Sequence, residues 1–179
     1  MKKAKATALL LGAASVLCGC ATAPQAQAPE ASAAAAPAAA ALAISRRAPY
    51  AADALVPAPV RRECDLERKV PQILKSRLGD DATLSDEVPK ASGRSLELAI
   101  TQVIARVGGG FTGPKSITVR GTLYDKGTRV GGFTARNADP YGIGVCVQLA
   151  RAVDEMAGDI ATWLQSPGKD DRLGLAKER

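Results

Sequence analysis

The chain has 179 residues, 46% of them hydrophobic and only 3% aromatic, with four cysteines and no histidine. The missing histidine removes His-containing triads, imidazole general bases and every His-containing metal site, and the scarcity of rings argues against a stacking platform for sugars or single-stranded nucleic acid. The formal charge is +6, but Lys2, Lys3 and Lys5 lie in an N-terminal segment without acidic residues; the rest of the chain, at +3, is not that of a nucleic-acid-seeking protein.

Those lysines precede an apolar run from Thr7 to Leu17, the order of a secretory signal. The run falls short of the roughly 20 residues that span a bilayer. Leu17-Cys18-Gly19-Cys20 resembles the lipobox of bacterial lipoproteins, with Leu17 three residues before Cys20 and the small Gly19 immediately before it. Cys18 fits the pattern poorly, because it would place Leu17 at the small position. The resemblance implies a signal peptide over 1–19 and a diacylglycerol thioether on Cys20, usually with a third, amide-linked chain such as palmitate. That exceeds the two signals needed for stable anchoring. Ala21 replaces the aspartate that retains many enterobacterial lipoproteins at the inner membrane, so the expected address is the periplasmic leaflet of the outer membrane.

From Ala21 to about Pro59 the chain is mostly Ala and Pro with few charges, too uniform to bury a core against its ordering entropy. The reading is a lipidated, disordered tether over 20–59, with Ala38 to Ile44 forming at most a transient helix. Residues 60–165 then make one small domain, followed by a charged tail, 166–179, that contains Pro167, Gly168 and Gly174 and is expected to fray.

Within the domain, Leu66, Val70, Ile73, Leu74 and Leu78 keep helical spacing, with Pro71 either kinking that helix or setting its start near Val70. Ser95 to Val107 fits either a strand or a helix, and strand is favoured because Gly108-Gly109-Gly110 end it and a clear strand follows. Ser116 to Tyr124 is a clear strand with Ile117, Val119, Gly121 and Leu123 on one face and Thr118, Arg120, Thr122 and Tyr124 on the other. Asp125-Lys126-Gly127-Thr128 reads as a hairpin turn and Arg129 to Arg136 as the returning strand. Val145, Leu149, Val153, Met156, Ile160 and Leu164 mark a long final helix. The expected fold class is α+β: a three-stranded antiparallel sheet with two helices on one face, in the order α-β-β-β-α, leaving the other face wet or available to a partner.

Cys64 and Cys146 sit near opposite ends of this domain in an exported chain, so pairing is their expected fate; two buried thiols or a redox pair are the alternatives. No Cys-x-x-Cys arrangement supports the redox reading. Closing a loop of about 80 residues contributes on the order of 4 kcal/mol in the chain-entropy account.

The segment Ile-Thr-Val-Arg-Gly-Thr-Leu-Tyr-Asp-Lys-Gly-Thr-Arg-Val-Gly-Gly-Phe from Ile117 to Phe133, with Cys146 and the closing Asp159-Ile160-Ala161-Thr162-Trp163-Leu164, resembles small uncharacterised proteobacterial lipoproteins of the domain-of-unknown-function type. The architecture is similar, more distantly, to the small modules of curli-secretion and penicillin-binding-protein-activator lipoproteins. Neither resemblance implies an activity.

No G-x-S-x-G or S-x-x-K run is present. The stretch from Gly108 to Ser116 superficially suggests a phosphate loop, but Pro114 separates Gly113 from Lys115 and the run leads into a strand instead of opening a helix. Asp80, Asp81, Asp86 and Glu87 read as a polar loop, and Asp154, Glu155 and Asp159 as a solvated helix face. The best interaction candidates are Arg120, Tyr124, Lys126, Arg129 and Arg136 on the hairpin, which could meet phosphates, carboxylates or an acidic protein surface. The expectation is therefore a non-catalytic accessory or binding module of the cell envelope, without metal or cofactor. Its partners would be the membrane, through the anchor, and an envelope protein, peptidoglycan or lipopolysaccharide, with no nucleic acid. The alternative is an envelope hydrolase or calcium-binding protein that acts through carboxylates such as Asp81, Asp86 or Asp159.

Overall fold

The computed structural model describes residues 41–87, 93–105, 113–140 and 142–178. The signal segment, Cys20, the tether as far as residue 40 and residues 108–112 of the glycine-rich run lie outside the described residues. In chain order the elements are β1 (Leu42–Ser45), β2 (Tyr50–Leu55), α1 (Ala58–Glu63), α2 (Leu66–Leu78), β3 (Ala82–Ser85), β4 (Arg94–Ile104), β5 (Lys115–Asp125), β6 (Thr128–Asp139), α3 (Val145–Trp163) and β7 (Asp171–Gly174). Short 3₁₀ turns, Gly79–Asp81 and Leu175–Glu178, precede β3 and follow β7.

The class is α+β, but a small three-stranded sheet with two helices is not what forms. Seven strands make one mixed sheet in the order β3-β1-β4-β5-β6-β7, with β2 also paired to β4, and three helices accompany it. The β4-β5-β6 meander is the expected antiparallel centre. Both flanks are parallel additions. β1 and β2 run beside successive parts of β4, β1 pairs in parallel with β3, and β6 with β7. Parallel neighbours need a crossover, which α2 provides between β1 and β3 and α3 between β6 and β7.

Two boundaries move as a result. Leu42 to Leu55, read from composition as tether, contributes two strands, and the Ala38 to Ile44 stretch contains a strand from Leu42 where a transient helix was expected. The tail read as fraying contributes β7. Each outer strand is four to six residues long and pairs with a partner remote in sequence. Turn residues flank several of them, Pro167 and Gly168 before β7 among these, but the strands are too short for alternation to mark them.

α2 runs unbroken from Leu66 through Pro71. A proline has no N–H for the carbonyl four residues back, which here is Glu67. That carbonyl accepts from the backbone N–H of the buried Ala48 instead, at 2.8 Å. The proline therefore leaves no unpaired acceptor and supplies a docking point for the β1–β2 connection.

Leu66, Val70 and Leu74 of α2 and Leu149, Val153, Met156 and Ile160 of α3 pack on Leu96, Leu98, Ile100, Ile117, Val119, Leu123 and Phe133 of the sheet. A Cys64–Cys146 disulfide, Cα–Cα 5.1 Å, joins the end of α1 to the first turn of α3. The tail is clasped by Asp171, whose Oδ2 accepts from Trp163 Nε1 at 2.8 Å and from the Gly168 N–H at 2.9 Å.

Candidate functional site

Side chains alternate along a strand, and the helices cover one face of this sheet only. Glu97 and Ala99 of β4, Thr118, Arg120 and Thr122 of β5, and Thr134 and Arg136 of β6 point to the other face. The register fixes their neighbours: Arg120 stands opposite Thr134, Thr118 opposite Arg136, and Arg172 of β7 lies beyond Thr134. Two arginines and two threonines thus alternate in a square block at the centre of the open face.

That block depends on an irregularity. Counting back from the turn, Tyr124 pairs with Arg129 but Leu123 with Gly131, leaving Val130 unpaired. A one-residue bulge changes which face every later residue takes. Without it Arg120 would stand opposite Phe133. With it, Phe133 enters the core against Trp163, ring centroids 4.8 Å apart and edge to face, and Thr134 and Arg136 join Arg120.

The five hairpin candidates therefore separate. Arg120 and Arg136 come together. Tyr124 lies half-buried nearer the turn. Lys126 occupies the turn itself, at φ 48°. Arg129 is engaged by the tail, donating to the Lys169 carbonyl at 2.9 Å and to Asp170 at 2.7 Å. Thr118, Thr134, Arg172 and Arg47 were not among the candidates. The alternation of β5 marks Thr118, whereas the other three become neighbours only through the bulge and the parallel flanks.

Beside the block a groove of about 430 Å³ is lined by Ser45, Arg47, Asp86, Glu97, Arg120 and Thr122. Asp86 is held by Arg46 at 2.8 Å. Among the described residues no carboxylate pairs with Arg47, Arg120 or Arg136, and the buried Nε of Arg136 has no hydrogen-bond partner. A surface of this kind offers guanidinium and hydroxyl donors to an oxyanion.

The carboxylates do not assemble. Asp81 and Asp86 flank opposite ends of β3, Asp159 lies on α3, and Asp154 is paired with Arg77 of α2, whose Nε donates at 2.9 Å. That contact holds the Asp154 carboxyl below its ordinary range, chiefly through the hydrogen bond, against a smaller opposing effect of desolvation and with a further lowering from the Arg77 charge. Among the described residues no three His, Cys, Asp or Glu side chains converge as metal ligands, and no helix is long and apolar enough to cross a membrane.

No family model matches the chain, and no curated protein matches it. Among solved structures it is similar to a minor lipoprotein from Acinetobacter baumannii, at 16% identity and TM-score 0.42, covering 72% of this chain and 94% of that one. It is similar also to an uncharacterized protein, at 15% identity and TM-score 0.44, covering 70% and 92%. A third is PelC from Paraburkholderia phytofirmans, solved as a dodecamer, at 15% identity and TM-score 0.44, covering 64% and 83%.

Proposed function

We propose that this chain is an acylated accessory protein of a bacterial envelope, held at the periplasmic leaflet of the outer membrane through Cys20, whose domain acts by binding and not by catalysis. The observation that carries the reading is the open sheet face. Arg47, Arg120 and Arg136 stand there without carboxylate partners among the described residues, on the side that α2 and α3 leave uncovered. The inner side of the same sheet carries the buried core on which that face is built.

Two measurements in intact cells test it. Radioactive palmitate should label the wild-type chain and not Cys20→Ser; undiminished labelling of the variant removes the anchor. A photo-crosslinker at Thr122 should capture an envelope component that the same group at Gln72, an exposed residue of α2, does not. Equal capture at both positions removes the sheet face as the binding surface.

A further inference from the structure

We infer that the Arg120/Thr134/Arg136/Thr118 block binds the phosphoryl headgroups of the membrane that carries the anchor, laying the open sheet face against the lipid surface. The inference rests on the anchored, binding role proposed above and names the chemistry that the face recognises.

Three observations lead there. First, Arg120 and Arg136 are diagonal neighbours on adjacent antiparallel strands, a spacing of about 7–8 Å. Two long guanidinium side chains so placed can converge on one anion, with the hydroxyls of Thr118 and Thr134 at the other corners.

Second, the donors outnumber the acceptors of a carboxylate. One bidentate guanidinium engages both oxygens of a carboxylate, whereas a phosphate monoester presents a third terminal oxygen and a second negative charge to the other guanidinium and to the hydroxyls. The Nε of Arg136 has no hydrogen-bond partner among the described residues, so that nitrogen commits the guanidinium to no protein acceptor. Glu97 stands one strand away, opposite Thr122.

Third, the covalent distance between lipid and domain is bounded. Only the residues between Cys20 and Leu42 separate the anchor position from β1. Whatever path they take, they cannot carry the domain further than about 75 Å from the lipid. A link of this reach holds the face at an effective concentration on the order of millimolar. A site too weak to collect free phosphate is then occupied by the nearest phosphoryl surface, which is the bilayer.

The test uses the full chain as Cys20→Ser, so that binding is not imposed by acylation, and phosphatidylcholine vesicles with and without a minority of phosphatidic acid. Co-sedimentation should depend on phosphatidic acid. It should weaken about a hundredfold when Arg120→Gln and Arg136→Gln are combined, the scale of two lost charge-assisted contacts at about tenfold each. Arg62→Gln, an exposed arginine on α1, should leave it unchanged. Thr134→Val removes a hydroxyl at constant shape and should weaken binding in the same direction, which keeps the idea open to failure if the double variant does not fold.

Equal loss in Arg62→Gln, or none in the block variants, overturns the site. Saturation by glycerol phosphate as tight as by vesicles overturns the membrane as the source and makes the ligand a soluble phosphate ester. A chain that labels with palmitate and crosslinks through Thr122, yet ignores phosphatidic acid, keeps its accessory role and loses the lipid.

Discussion

Gly121 lies under the ring of Phe133, its directly paired neighbour on β6. A Cβ there would sit 2.2 Å from two ring carbons, and the ring, buried against Trp163, has no free space to enter. Gly121→Ala should therefore destabilise the domain by about 1–3 kcal/mol, read as a lower urea midpoint at unchanged slope. The Arg77–Asp154 pair makes a different prediction. A carboxyl held below its ordinary range contributes stability that is full above the unfolded value near pH 4 and is lost as pH falls through the folded one. Asp154→Asn should lower the thermal midpoint at neutral pH, and the gap to wild type should close in acid. Both side chains are about half exposed, so added salt should narrow the gap as well. A gap independent of pH would assign the loss to packing.

Among the elements, α2 and β6 each contain a residue whose sequence meaning is reversed by its neighbours. Pro71 reads as a helix breaker and would cost about 3 kcal/mol in an exposed helix interior. In α2 the carbonyl it frees is taken by Ala48, and the proline ring is itself buried. Pro71→Ala should thus gain less than about 1 kcal/mol in a denaturant titration; a gain near the full propensity difference would show the Ala48 contact to be dispensable. Val130 is an exposed apolar residue between Arg129 and Gly131, unremarkable by pattern. Its presence as a bulge decides which face of β6 meets the core. Val130→Ser, which keeps the residue, should alter stability by less than about 0.5 kcal/mol. Deletion of Val130 should expel Phe133 from the core and abolish the cooperative unfolding transition, measured by near-ultraviolet circular dichroism.

For the molecule as a whole, the Cys64–Cys146 bond closes a separation of 82 residues and encloses α2, β3 and the β4-β5-β6 meander. Constraint of a loop this long in the unfolded chain contributes on the order of 4–5 kcal/mol. Cys64→Ala with Cys146→Ala should lower stability by about that amount in a urea titration, and reducing agent should then have no further effect on the variant. The meander, its two-residue turn at Lys126 and Gly127, the long final helix and the cysteine pair were all legible in the sequence, because each is written in contiguous residues, in helical or alternating period, or in a count of two thiols. The arginines were legible as cations but not as a site. By itself the sequence determined the α+β class, the inward face of β5, the apolar stripe of α3 through Leu149, Val153, Met156 and Ile160, and that the chain has no histidine. Only the tertiary structure decided that Leu42 to Leu55 and Asp171 to Gly174 are strands, that Pro71 belongs inside a helix, and that Arg120 and Arg136 share a face while Arg129 is engaged by the tail. The physical reason is common to all of these. A short parallel strand, a displaced carbonyl and a bulged register take their partners from remote parts of the chain, and a local pattern carries no record of a partner that only folding brings into contact.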